Sequence, residues 1–136
     1  MRAKRFEYGA SLDGEGRILA EGGAPLEPGE EWTPEHLVLA GLMRCTLKSL
    51  HFHAERASVS VAGRAAADGV VTKRDQDGRY AFVEIECGLD VQLDPEPEGE
   101  PLTELLDLAE RDCFVGASLT AEPRYEWRVN GELVTR

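Results

Sequence analysis

Long hydrophobic runs are missing from this sequence. Its most apolar stretch, residues 37–43, gives way at once to Arg44, Lys48 and His51, which leaves it too short and too interrupted to span a membrane. The basic start, Met1 to Arg5, leads into Phe6-Glu7-Tyr8-Gly9 rather than an apolar segment. It does not read as a signal peptide, and a cytoplasmic location is expected. Cations are scarce. The 15 Lys and Arg residues face 26 Asp and Glu, a net charge of −11, and nowhere form a dense patch. That balance argues against a nucleic-acid partner. Cysteine is scarce too, with 3 residues, Cys45, Cys87 and Cys113, in no CxxC or zinc-like spacing. Without an export signal these thiols are expected to be reduced, so that any disulfide would be transient and chemical. No metal set is legible either: His51 and His53 point about 200° apart on a helix, and His36 is distant. There is no internal repeat and no low-complexity segment. What remains, 136 residues of which 42% are apolar and 30% charged, reads as one domain over residues 1–136 with a substantial core.

The elements follow from periodicity. Residues 2–30 read as short strands joined by Gly-rich turns, with a tight reversal in "LDGEGRIL" (12–19). Thr33-Pro34-Glu35 is a helix start, with a capping residue, a proline suited to the first helical position and an acid in the first turn. The helix is expected to run to about Ala54. Leu37, Val38, Leu39, Leu42, Met43, Leu47 and Leu50 cover most of its circumference, so it is expected to be buried on more than one side. Two strands are expected at 57–71 and 78–93, joined by the polar turn "TKRDQDG". In the second, Ala81, Val83, Ile85, Cys87, Leu89, Val91 and Leu93 share one face. After the acidic linker "DPEPEGEP", a helix stripe of Leu102, Leu105, Leu106, Ala109 and Cys113 is expected. A last strand then turns at Asn130-Gly131. Strand pairs separated by helices, without a repeating βαβ rhythm, indicate an α+β fold.

The thiols divide by their surroundings. Cys87 lies among Ile85 and Leu89 on a strand face, the setting of a small buried hydrophobe. Cys113 ends an apolar helical stripe. Cys45 sits between Arg44 and Lys48, cations able to stabilise a thiolate, the form that attacks peroxides and disulfides. Neighbouring helical positions diverge by about 100°, so Arg44 also suits solvent. Gly41, one turn earlier, removes a side chain from the approach to the sulfur. A core thiol with incidental cations is the plain reading of Cys45. The reactive reading needs a second thiol, and two helix-borne thiols on core-facing stripes are able to meet.

"TPEHLVLAGLMRCT" (33–46) and "CFVGASL" (113–119) together resemble the OsmC/Ohr family, the osmotically inducible and organic-hydroperoxide-resistance proteins, and the order of elements agrees over nearly the whole chain. The resemblance implies an α+β fold of antiparallel sheets around a long central helix, in an intertwined homodimer. It implies a peroxidatic Cys45, a resolving Cys113 that forms a disulfide with it, and a Glu35 carboxylate that orients an arginine against the thiolate. Arg17, at the tip of the first reversal, is the first choice for that arginine and Arg5 the second. Substrates would be organic hydroperoxides and the reductant an external dithiol of the lipoyl type, with no metal or bound cofactor. Leu42, Met43, Phe52 and Phe114 are candidates for an apolar wall. On one straight helix Glu35 and Cys45 are about 15 Å apart, so either the helix breaks or the acid comes from a partner chain. Peroxidase branches often place Pro after the second cysteine, where this chain has Phe114. Without an activating arginine the expected alternative is a non-catalytic OsmC-like protein that binds a small apolar or thiol ligand at the dimer interface.

Overall fold

The structure, a computed structural model, describes residues 3–136, in a first unit ending at Glu35 and a second running from His36 to Arg136. In the first unit, β1 (Ala10–Leu12) pairs antiparallel with β2 (Ile18–Ala20), Leu12 opposite Ile18. Asp13 organises the reversal between them. Its carboxylate accepts the Glu15 and Arg17 backbone N–H groups at 2.9 and 3.0 Å and the Arg17 Nε at 2.7 Å. These bonds, those from Arg17 foremost, hold the Asp13 carboxyl below its ordinary pKa. Gly16, at φ 83, takes the left-handed position that a side chain disfavours.

Helix α1 (Pro34–Arg56) begins at the boundary and continues through the second unit. It is followed by β3 (Ser60–Lys73), β4 (Tyr80–Asp94), α2 (Glu100–Arg111), α3 (Phe114–Ser118), β5 (Arg124–Val129) and β6 (Glu132–Leu133). The four long-range strands form one sheet in the order β3-β4-β5-β6. The fold is α+β, but the expectation of purely antiparallel sheets is corrected at its centre. β4 and β5 run parallel, with Cys87 beside Tyr125 and Leu89 beside Trp127. The cause is the connection: a parallel pair needs a crossover, and α2 with α3 carries the chain back to the starting end of β5.

The inward face of β4 holds from Ile85 to Leu93, where Ile85, Cys87, Leu89, Val91 and Leu93 are buried. At Val83 it fails. The pairing passes from Val70–Glu84 to Val71–Phe82, so Val83 is an extra residue on β4. A bulge of this kind shifts the alternation by one. Val83 is therefore exposed, and Phe82 packs against the core instead. Its ring lies across Gly69, where an added Cβ would come within 2.5 Å of the ring edge.

The core is built from this face, from Leu105, Leu106 and Ala109 of α2, from Trp127 and Val129 of β5, and from one stripe of α1. That stripe is Leu42, Thr46, Ser49, Leu50 and Ala54, positions that superimpose at 3.6 residues per turn. Burial on nearly every side is not seen within this chain. Leu37, Val38, Leu39, Met43 and Leu47 are half-buried and Phe52 is exposed, because one chain supplies neighbours for a single stripe. The C-terminal hairpin turns at Asn130 and Gly131, both at positive φ (50 and 87), as a two-residue turn matched to strand twist requires. The Asn130 side chain accepts the Leu93 N–H at 2.9 Å and donates to its carbonyl at 3.1 Å, which extends the ladder alongside β4. Trp127 Nε1 donates to Glu110 at 2.8 Å, and Arg136 pairs with Asp107 and Glu110, so the chain end is tied to α2. Among the described residues, no helix is long and apolar enough to cross a membrane.

Candidate active site

The expected second helix stops short of Cys113. α2 ends at Arg111, and Cys113 is extended (φ −76, ψ 107) before the chain re-enters a helical turn at Phe114. The break matters for the sulfur. As the residue before α3, Cys113 accepts the Gly116 N–H at 3.3 Å, in place of the hydroxyl or carboxylate more usual at a helix start. The next amide, Val115 N–H, points at the other thiol, Cys45 Sγ, at 3.4 Å. Cys45 and Cys113 are near neighbours, close enough for the Cys113 thiol to raise the Cys45 pKa. Two residues 68 positions apart are thus brought together by α1 on one side and the α2–α3 kink on the other.

The two sulfurs differ in access. Cys113 is fully buried, while Cys45 is partly open. Val38, Gly41 and Phe52 lie on the same line of α1 as Cys45 at spacings of 7, 4 and 7 residues. An added Cβ on Gly41 would meet nothing within 4 Å, and Phe52 and Phe114 are about half exposed. Of the four wall candidates, Phe52 and Phe114 fit this mouth. Leu42 is consumed by the core, and Met43 projects from the far side of the helix. Val38 was not among them.

Burial is the first cause that raises the Cys45 pKa, and the Cys113 thiol adds to it. The Val115 and Phe114 amides work in the opposite direction. No cation acts on Cys45 among the described residues. Arg44 and Lys48 are exposed. Arg17 is bound within its own unit to Asp13, and Arg5 pairs with Glu7 at 3.6 Å, both largely in solvent. Glu35 is exposed in the first turn of α1. Because α1 is continuous, the ten residues between Glu35 and Cys45 amount to about 15 Å of rise. The helix does not break.

Residues that sequence reasoning missed stand around Cys113. Thr46 Oγ1 donates to the Leu42 carbonyl at 2.9 Å and lies 3.4 Å from Cys113 Sγ. The Tyr125 hydroxyl lies close by, near enough for Thr46 to lower its pKa against the larger effect of burial. It sits where a Cβ on Gly116 would be, 2.8 Å from that position. Thr46 adjoins Cys45 and Gly116 belongs to "CFVGASL", so both were within sight. Tyr125, on a distant strand, carried no such signal. His53, read as half of an H-x-H pair, bonds instead with Asp112 at 2.7 Å. Among the described residues, no three His, Cys, Asp or Glu side chains are placed to hold a metal ion.

Cys87 behaves as the strand pattern requires. Burial first, then the charges of Cys113 and Glu110, push its thiol up from 9.0 to about 11. An unfolded chain ionises this thiol near pH 9 and the folded one only near 11. Its stabilising contribution is therefore complete below pH 9 and lost as pH rises through 11, on the order of 2 kcal/mol in all. Urea-unfolding midpoints should fall across that window, and Cys87→Val should remove this share of the fall.

A family model for OsmC-like proteins matches residues 27–128. No curated protein matches the chain. Among solved structures, an OsmC-like protein of unknown function from Vibrio cholerae has a TM-score of 0.72 at 16% identity, over 90% of this chain and 99% of that one. The organic hydroperoxide resistance protein OhrB of Bacillus subtilis has a TM-score of 0.58 at 18% identity, over 92% and 98%. An organic hydroperoxide resistance protein from Elizabethkingia anophelis, with crystallant-derived thiocyanate bound, has a TM-score of 0.60 at 17% identity, over 94% and 98%. These likenesses concern the fold, and with the match over residues 27–128 they establish that the chain belongs to the OsmC-like protein family.

Proposed function

We propose that this protein is a cysteine-based peroxidase that reduces organic hydroperoxides to alcohols. The observation that carries the reading is the closeness of two thiols, one partly open and one buried, that accept from consecutive amides of one turn. Cys45 thiolate attacks the distal peroxide oxygen. The O–O bond breaks, the alkoxide takes a proton and leaves as the alcohol, and Cys45 becomes a sulfenic acid. Cys113 then attacks that sulfur: the S–S bond forms, the S–O bond breaks, and the departing oxygen leaves as water with the Cys113 proton. An external dithiol, of lipoyl type by the family resemblance, returns both thiols to the reduced state. The apolar line of Val38, Gly41 and Phe52, with Phe114, suits an alkyl tail better than hydrogen peroxide.

The described chain raises the Cys45 pKa, so the thiolate needs a cation. A second copy of this chain is the proposed source, with Arg17, or Arg5, set against the sulfur and held by Glu35. The half-exposed apolar flank of α1 is the surface such a dimer would cover. Organic-hydroperoxide-resistance proteins among the solved likenesses agree with this chemistry.

A second reading is favoured by the same pKa direction. If no cation reaches Cys45, the thiol stays protonated and the pocket binds a small apolar or thiol ligand without turnover. Free-thiol titration separates the two. Stoichiometric loss of Cys45 and Cys113 on adding cumene hydroperoxide, faster than with hydrogen peroxide, is expected of the peroxidase. Thiols that persist with no peroxide consumed establish the ligand-binding protein instead.

A further inference from the structure

Cys113 has no contact with solvent, yet the proposed cycle requires its sulfur to become an anion each time the disulfide closes or opens. The polar groups given to it are few. Gly116 N–H donates at 3.3 Å, and Thr46 Oγ1 lies at 3.4 Å. Thr46 has one hydroxyl proton and two partners, the Leu42 carbonyl and Cys113 Sγ, with the Tyr125 hydroxyl close by. With a neutral thiol, that proton rests on the Leu42 carbonyl at 2.9 Å, while the threonine oxygen accepts. With a thiolate it can turn to the sulfur. The Leu42 carbonyl, inside α1, keeps its main-chain bond and is not stranded. Turned towards the Thr46 oxygen, the nearby Tyr125 O–H would strengthen the threonine as a donor, since linked hydrogen bonds polarise one another. Gly116 makes the arrangement possible, because any Cβ there would meet the tyrosine oxygen at 2.8 Å and Cys113 Sγ at 3.4 Å.

We propose that Thr46 is the switchable donor to the Cys113 thiolate and that Tyr125 is the positioning residue that orients and polarises it. The proposal rests on the peroxidase reading for its purpose, but not for its test. Burial keeps the Tyr125 phenol well above its ordinary pKa, so it stays a donor throughout the alkaline range in which thiols titrate. Thr46 contributes a hydrogen bond to a charged group, and its loss is expected to slow disulfide closure about tenfold.

The test uses dithionitrobenzoate in place of a peroxide, on the full chain carrying Cys87→Ala. Attack by Cys45 breaks the reagent disulfide, leaves a mixed disulfide on Cys45 and releases one thionitrobenzoate. Attack by Cys113 on the Cys45 sulfur then forms the 45–113 bond and releases the second. The rate of that second release, measured against pH, reads Cys113 directly. Thr46→Val and Tyr125→Phe should each slow it, the former about tenfold, and displace its pH profile towards alkaline pH. Thr46→Ser, which keeps the hydroxyl and loses the methyl, should restore both. A merely structural threonine would give the opposite order, with the isosteric valine tolerated and the serine worse. Wild-type rates and profiles in Thr46→Val and Tyr125→Phe would overturn the proposal. Should Thr46→Val not fold, Tyr125→Phe decides alone. Failure of the peroxidase reading appears separately, as peroxide left unconsumed by a protein that still releases two equivalents.

Discussion

Cys45→Ser should abolish hydroperoxide consumption, while Cys113→Ser should permit one turnover per chain and then stop. The asymmetry follows from where the two sulfurs lie. Cys45 is partly open on a line with Gly41 and Phe52, and Cys113 is sealed behind it. Only Cys45 can meet a peroxide. A serine hydroxyl is not appreciably ionised and forms no sulfenate, so nothing replaces it. In Cys113→Ser the sulfenic acid forms normally but has no thiol to condense with. It should be trapped by a dimedone-type probe and overoxidise with excess peroxide. The wild type should instead yield a 45–113 disulfide within one chain. Such a bond requires Cα atoms within about 7 Å, and the two sulfurs already accept from consecutive amides of one turn. Mass spectrometry of peroxide-treated protein distinguishes these products. Persistent peroxide consumption in Cys45→Ser would remove Cys45 from the chemistry.

Mixing two inactive chains should restore activity if the site is shared between copies. α1 is unbroken from Pro34 to Arg56, so Glu35 cannot reach the Cys45 of its own helix. Burial leaves that thiol unactivated by the described chain. A dimer in which each copy lends Glu35 and Arg17 to the other's Cys45 resolves both points. Cys45→Ser retains the acid and the arginine, and Arg17→Ala retains the thiol. Co-refolded in equal amounts, half the dimers are mixed and each holds one complete site, so about a quarter of wild-type turnover should return in a two-fold symmetric dimer. If the arginine acts within its own chain, every site in the mixture lacks one component and nothing returns. Arg5→Ala in place of Arg17→Ala identifies which arginine is lent. Sedimentation showing a stable folded monomer at low concentration would dispose of the shared site altogether.

Much of this was legible along the chain because it depends on neighbours in sequence. The start of α1 at Thr33-Pro34-Glu35, the alternation of β4 through Cys87, and the Asn130-Gly131 turn are local matters of dihedral preference and periodicity. So were the two motifs that carry the family resemblance. What the tertiary structure decided depends on distant residues. The bulge at Val83 inverts the expected facing of the start of β4, because Gly69 on the opposite strand leaves room for the Phe82 ring. The parallel pairing of β4 with β5 follows from the route taken by α2 and α3, which no strand pattern encodes. α2 stops at Arg111 although its apolar stripe extends to Cys113, and that kink is what turns a core thiol towards Cys45. The Tyr125 hydroxyl comes in from another element over the one position, Gly116, that has no Cβ to block it. Periodicity states which side of an element is apolar. Only packing decides which reactive atoms meet there, because a hydrogen bond near 3 Å requires several elements to be placed at once.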